Sequence, residues 1–148
     1  MGSNRGFWKV FVSLAVGGVL LVALVIAFRP LARSGAVAYA QGNLRMAVEV
    51  ARQVSEEEGS LATATALRLR AEADLGDLLL IDPDTSSNDS EIVSVFATAG
   101  SWTGAARADT GRCFWVRLER DGATVYGTGT DCSAEEARGA PAGAWPEP

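Results

Sequence analysis

An uninterrupted apolar run lies near the start of the chain. Residues 10–28, VFVSLAVGGVLLVALVIAF, form nineteen positions without a charge. At about 1.5 Å rise per residue, a helix of this length spans roughly 28 Å, close to the hydrocarbon thickness of a bilayer. We therefore predict a transmembrane helix over residues 10–28, preceded by a short cytosolic leader of residues 1–9. A secretory signal peptide is the alternative, because Arg5 and Lys9 give a basic start, but the apolar run is long for a signal peptide and FRPLARS is a poor cleavage site.

Past Pro30 the apolar positions become periodic. They recur at spacings of three and four residues, as on one face of a helix. The positions of this stripe are Val37, Ala40, Leu44, Ala47, Ala51 and Val54. The pattern predicts an amphipathic extension of the first helix over residues 29–59, with Gly59 as its C-terminal stop. We expect the stripe to pack on the chain's own sheet; a self-associating coiled coil is the alternative, which so short a repeat with several alanines supports only weakly.

A second, shorter helix is predicted over residues 60–73, and from Leu78 the pattern changes to that of strands. Turn sequences separate the strand-like runs, among them Asp121-Gly122, which is a strong hairpin signal. The five runs cover residues 78–81, 91–97, 101–108, 112–119 and 123–129.

The alternation within the fourth run predicts how the sheet packs. Phe114, Val116 and Leu118 fall on one face of the strand, and that face can cover a helix. We therefore predict an α+β fold, in which a long N-terminal helix packs on a small antiparallel β-meander of four to five strands. We expect residues 60–132 to form a small extracytoplasmic domain, which we call the head. The tail of residues 133–148 is rich in Pro, Ala, Gly and Glu without a period, which predicts disorder.

The two cysteines, Cys113 and Cys132, have eighteen residues between them. In a small domain such a pair is typical of a disulfide formed in an oxidising compartment, and it would stabilise the fold by roughly 3 kcal/mol in the chain-entropy model. Zinc is a poor explanation, because two cysteines without histidine leave a tetrahedral site half filled. Basic residues flank the apolar run almost equally, so the cysteines decide the orientation: the N-terminus is cytoplasmic and the C-terminal domain lies outside the cell membrane.

The charge of the exported part excludes one class of partner. Residues 34–148 carry nine arginines, no lysine and eighteen acidic residues, a net charge of −9. Nucleic-acid binding requires a basic surface to neutralise phosphates, and the sequence has none. Membrane lipid, around residues 10–28, is the predicted partner.

No residue pattern indicates an enzyme. The chain lacks histidine, and it has no phosphate-binding loop, dinucleotide fingerprint or nucleophile elbow. The acidic stretch Asp82–Asp89 resembles the first positions of a calcium loop, but Ser87 and Val93 occupy the places of the usual Gly and Glu. We favour a surface turn over a calcium site, and we predict no catalytic residue, metal site or cofactor.

Three aromatic residues on the predicted strands have two interpretations. If Trp102, Trp115 and Tyr126 are exposed, they mark a binding surface. Aromatic residues on a small sheet are, however, more often cross-strand pairs, which is the interpretation we favour.

The order of these features resembles that of type IV pilins and type II secretion pseudopilins. A basic leader ends in Gly6 before Phe7, and an apolar helix, a proline, an amphipathic continuation and a small sheet with a cysteine pair follow. The segment AARADTGRCFWVRLERDGATVYGTGTDC is similar to the ending of actinobacterial prepilin-like proteins, and AQGNLRMAVEVARQVSEEEGS looks like their helix. The resemblance extends over about residues 5–132.

The resemblance implies a structural subunit whose apolar helix packs against other pilin-like subunits in a filament core. It also implies a partner enzyme, a prepilin peptidase, that cuts between Gly6 and Phe7. Members of the family carry Thr and Glu at the second and fifth positions after the cut, where this chain has Trp8 and Phe11. Since the buried carboxylate normally pairs with a neighbour's terminal amine, its loss favours a minor or diverged subunit of a type IV pilus or type II secretion-like assembly. The alternative is a non-polymerising single-pass membrane protein with a pilin-like extracytoplasmic binding domain.

Overall fold

The first described helix carries the predicted apolar stripe. The computed structural model describes residues 34–72 and 75–145, of which residues 34–58 form helix α1. Gly59 ends the helix in the left-handed conformation, with a φ of +75°. The six stripe positions are all buried in the main core: Val37, Ala40, Leu44, Ala47, Ala51 and Val54. The stripe therefore packs on the chain's own sheet, as predicted.

The predicted transmembrane helix over residues 10–28 lies outside the described residues, as do Gly6 and Phe7. Within residues 34–72 and 75–145, no helix has both the length and the hydropathy needed to cross a bilayer. Among the described residues, those from Gly35 onward form one compact unit.

The segment predicted as one helix over residues 60–73 contains two short helices. They are a 3-10 helix and helix α2: Leu61–Thr63 and Ala66–Glu72. Between them, the carbonyl of Ala64 accepts a hydrogen bond of 2.9 Å from the indole N–H of Trp102. In a continuous helix this carbonyl would pair with the backbone N–H of Arg68, which instead lies 3.3 Å from the hydroxyl of Thr65. A contact with the sheet therefore interrupts the predicted helix.

The sheet contains five strands in sequential order. Strands β1 to β5 are Leu79–Ile81, Ile92–Ala97, Ser101–Arg107, Cys113–Glu119 and Thr124–Gly129. Strands β2 to β5 pair antiparallel with their successive neighbours, as predicted. Strand β1, however, pairs parallel with β2, so the sheet is mixed and the prediction of a wholly antiparallel meander is wrong at this edge. A parallel neighbour requires the chain to cross back along the sheet, and residues 82–91 make that crossover.

The two faces of the sheet have separate cores. Phe114, Val116 and Leu118 are buried in the core that contains the α1 stripe, which confirms the alternation predicted for β4. On the opposite face, Trp115 is buried in a smaller cluster with Ala137. The fold is therefore α+β, with α1 on one face of the sheet and the segment around Ala137 on the other.

The tail after Cys132 has defined structure up to Trp145, so the prediction of disorder is wrong for these residues. Helix α3, Ala134–Ala137, begins where the hydroxyl of Ser133 accepts a hydrogen bond from a backbone N–H of its first turn. Both alanines at the ends of α3 are buried, one of them against Trp115. Two of the small residues that indicated disorder, Ala134 and Ala137, are thus contact residues.

Candidate functional site

The disulfide joins the start of β4 to the turn before α3. Cys113 and Cys132 are both buried, and their Cα atoms are 5.2 Å apart. The carbonyl of Cys132 also accepts a hydrogen bond of 3.0 Å from the backbone N–H of Ser87. The disulfide therefore holds the crossover of residues 82–91 in addition to the two segments that it links, and the predicted pairing is confirmed.

The acidic stretch Asp82–Asp89 lies in this crossover as a hydrogen-bonded turn. The hydroxyl of Ser86 donates to the carboxylate of Asp131, and the hydroxyl of Ser87 lies 2.6 and 2.8 Å from two backbone carbonyls. Within residues 34–72 and 75–145, no group of three or more acidic or cysteine side chains is arranged to hold a metal ion. Hydrogen bonds within the chain account for the hydroxyls of Ser86 and Ser87 and for the carboxylate of Asp89, which accepts from the backbone N–H of Glu91.

The carboxyl group of Asp131, the hydrogen-bond partner of Ser86, has a lowered pKa. The hydrogen bond from Ser86 is the main cause that lowers the pKa of its carboxyl group, and the backbone N–H groups of Cys132 and Ser133 act in the same direction. Burial opposes this shift, but the residue is exposed to water. The hydrogen bonds of the folded turn therefore favour the ionised form of the Asp131 carboxylate.

Two of the three aromatic residues considered for a binding surface are buried. Trp102 and Trp115 have almost no exposed area, so the interpretation as an exposed surface is wrong for both. Each ring lies against a glycine. A Cβ atom on Gly104, two residues along the same strand, would be 2.8 Å from Trp102, and one on Gly127 of the neighbouring strand would be 2.2 Å from Trp115. The third residue, Tyr126, is partly buried against Trp145.

Arg117 clamps the tail against the sheet. Its guanidinium donates hydrogen bonds to the carbonyls of Arg138 and Ala140, at 2.9 and 3.2 Å. The same group pairs with Glu119 at 2.6 Å and lies over the ring of Trp115. The chain is therefore held where it leaves α3.

Beyond this clamp, the tail passes the edge of β5 and places Trp145 on the α1 face of the sheet. We call the place that this side chain occupies the Trp145 slot; it is lined by Arg45 of α1, by Phe114 and Tyr126, and by the carbonyls of Trp115 and Gly127. The indole N–H lies 3.0 and 3.1 Å from the two carbonyls. The Arg45 guanidinium is 5.1 Å from the ring centroid, and the Phe114 and Tyr126 rings meet the indole edge to face.

No periodicity or motif in the sequence marks Trp145. The signal that was available is the residue type itself, since a tryptophan in a stretch of Ala, Gly and Pro would expose a large apolar surface if it packed on nothing. The slot could not be found in the same way, because its walls come from α1, β4 and β5.

An open depression of about 450 Å³ lies between α3 and strands β2 and β3. It is bordered by Phe96, by Glu135 of α3 and by Arg138, which follows that helix. Arg138 pairs with Glu135 at 2.7 Å and lies 4.8 Å from the centroid of the Phe96 ring. Its charged and aromatic groups thus satisfy one another, and the depression does not indicate a ligand.

The exposed surface of α1 carries no charge over residues 34–44, up to the exposed Arg45, and we call this surface with Met46 the outward face of α1. Its members are small or apolar residues: Gly35, Ala38, Tyr39, Gly42 and Met46. Residues 34–44 carry no charge, and nothing lies within 4 Å of a Cβ atom built on either glycine. The hydroxyl of Tyr39 donates to Glu91 at 3.1 Å, and this hydrogen bond to a carboxylate raises the tyrosine pKa.

Comparison of the chain with protein-family models, with curated protein sequences and with solved structures finds no match.

Proposed function

We propose that the chain is a membrane-anchored, pilin-like structural subunit of a type IV pilus or type II secretion-like assembly, and a minor or diverged member of it. In this proposal residues 10–28 cross the cell membrane, the N-terminus is cytoplasmic, and the head is extracytoplasmic. The observation that carries the proposal is the two-sided character of α1. One side of the helix is buried on a small sheet closed by a disulfide, and the other is the uncharged outward face.

The outward face supports contact with a neighbouring helix. A polar helix surface is the norm where a helix meets only water, but the exposed residues of α1 before Arg45 are Gly35, Ala38 and Tyr39. Small residues allow helix backbones to approach closely. The occupant that we propose for this face is the apolar helix of another pilin-like subunit.

The disulfide supports export of the head. Buried disulfides form and persist in oxidising compartments, and Cys113 and Cys132 are paired and buried here. This placement agrees with a transmembrane segment whose N-terminal side remains in the cytoplasm.

The residue at position 11 favours a second candidate function. Phe11 replaces the acidic residue that pairs with a neighbour's terminal amine in the family that the sequence resembles. A protein without this pair is a candidate for a single-pass membrane protein that keeps its pilin-like head as a binding domain and does not polymerise.

Mass spectrometry of the N-terminus of protein isolated from its native membrane separates the two functions. A chain that begins at Phe7 is the expected result for a subunit processed by a prepilin peptidase. A chain that retains Met1 to Gly6 would contradict processing and support the non-polymerising alternative.

Substitution on the outward face tests assembly independently of processing. We expect Ala38→Arg to reduce recovery of the protein in a sheared surface fraction or a cross-linked multi-subunit complex at least tenfold. The matched control is Ala123→Arg, at an exposed position in the turn between β4 and β5. Neither change fills buried space, so both variants should keep the melting temperature of the wild type; equal recovery of the two would contradict assembly through this face.

A further inference from the structure

We propose that the Trp145 slot is a peptide-binding site whose resident occupant is the chain's own segment 143–145, and that the same segment of a second copy of the chain can replace it. This inference does not depend on the proposed function. It rests on the geometry of the slot and on how little else holds the segment.

The slot has the features of a site that recognises a peptide. Two convergent carbonyls, from Trp115 and Gly127, accept the indole N–H, and two rings and a guanidinium surround the indole. The backbone N–H of Gly143 donates to the carbonyl of Tyr126 at 2.8 Å, which forms a single antiparallel bridge with edge strand β5. Backbone pairing at a sheet edge combined with a pocket for one aromatic side chain is a recurring mode of peptide recognition.

The segment is separable from the rest of the fold. Residues 141–144 are exposed, and they connect the Arg117 clamp at Ala140 to the slot. Neither the disulfide, nor the α1 stripe, nor the pairing of β4 with β5 includes them. Release of Trp145 would therefore open the slot and the outer edge of β5 while the sheet remains paired.

A second copy is the occupant that fits this arrangement, because it carries the segment that the slot already holds. Residues 141–148, if released, reach about 26 Å when extended at about 3.3 Å per residue. Two copies with their β5 edges side by side could exchange segments reciprocally about a two-fold axis, so that each makes the contacts seen within one chain. The tethered segment has an effective concentration on the order of 1 mM, so exchange increases with protein concentration.

The test uses the full chain with Trp145→Ala and a fluorescein-labelled peptide of residues 140–148, APAGAWPEP. We expect the peptide to bind this variant saturably, by fluorescence anisotropy, and at least tenfold more tightly than it binds the wild-type chain. The control peptide carries Ala in place of the tryptophan and should bind at least tenfold more weakly. Equal binding of the two peptides by the folded variant, or no binding up to about 1 mM, would overturn the proposal.

The Trp145→Phe variant is the control for the case in which Trp145→Ala does not fold. It keeps an aromatic ring in the slot but removes the N–H that the two carbonyls accept, so it should bind the labelled peptide more tightly than the wild type does. Its folding is checked by a cooperative melt and an intact disulfide. A folded Phe variant that binds the peptide no better than the wild type would count against a replaceable occupant.

The second-copy occupant is tested by capture. An immobilised Trp145→Ala chain should retain tagged wild-type chain at least tenfold more than an immobilised wild-type chain does, and free APAGAWPEP peptide should release it. Equal retention on both surfaces, or retention that the peptide does not reduce, would exclude exchange between copies.

Discussion

The six-membered ring of Trp115 lies directly against the Cα atom of Gly127 on the neighbouring strand. A Cβ atom at Gly127 would be 2.2 Å from Cζ2 of the indole, well inside van der Waals contact. We expect Gly127→Ala to lower the free energy of unfolding by about 3 kcal/mol, since the tryptophan has no space into which to move. Urea unfolding followed by circular dichroism measures the change.

Gly129→Ala is the matched control for this prediction. On the same strand, a Cβ atom at Gly129 would be 3.4 Å from the carbonyl oxygen of Asp131 and 3.9 Å from Trp115. We expect a loss below about 1 kcal/mol, because the new methyl group requires at most a small adjustment. Similar losses for the two variants would contradict the described packing of Trp115.

The two sides of α1 should respond differently to truncation. Leu44 is fully buried on the stripe, whereas Met46, two residues later, is 44% exposed. We expect Leu44→Ala to cost about 3 kcal/mol of unfolding free energy and Met46→Ala less than about 0.5 kcal/mol. A comparison of their urea midpoints tests whether α1 packs through this face; equal midpoints would contradict it.

Removal of the disulfide should destabilise the head without changing its secondary structure in water. The paired variant Cys113→Ser with Cys132→Ser is expected to lose about 3 kcal/mol, the loop-closure contribution of a cross-link of this length. In the unreduced wild-type protein, a thiol reagent should label neither cysteine even after unfolding. Labelling of both would show that the pair is not oxidised in the isolated protein.

The pair of Ser86 and Asp131 should give the fold a specific acid sensitivity. A carboxyl group with a lowered pKa in the folded state stabilises the fold above its unfolded value of about 3.9, and this contribution is lost as the pH falls through the folded value. We expect Asp131→Asn to make the unfolding free energy fall less steeply below about pH 4. Urea titrations at neutral pH and near pH 3 measure this difference.

A double-mutant cycle provides the control for the acid prediction. Ser86→Ala removes the hydrogen bond that is the main cause of the lowered pKa, so it should also flatten the acid dependence. In the Asp131→Asn background the same change should leave the pH dependence unaltered. An equal effect of Ser86→Ala in both backgrounds would show that the hydroxyl acts elsewhere.

Much of this fold could be predicted because its signals are local. The stripe from Val37 to Val54 has a period of three and four that only a helix face satisfies, and the alternation from Phe114 to Leu118 has the period of a strand. Asp121-Gly122 predicts a turn, because glycine tolerates positive φ. In the structure, Gly122 has a φ of +86°. In each case neighbouring residues carry the information.

The features that were missed depend on contacts between distant residues. The direction of β1 is set by a crossover that hydrogen bonds attach to α3 and to the turn at Cys132, and no pattern within Leu79–Ile81 encodes it. The helix predicted over residues 60–73 is interrupted by the indole of Trp102. The composition of the tail predicts disorder. It cannot show that Trp145 binds in a slot formed by residues of α1, β4 and β5.

The two edges of the sheet determine how the head behaves when many copies are crowded together. At one edge, β1 is three residues long and offers a neighbouring chain only a short row of backbone groups. At the other, the bridge from Gly143 covers part of β5. Open strand edges are the usual route to uncontrolled aggregation, and a head with one minimal edge and one covered edge is suited to a high local density of identical neighbours.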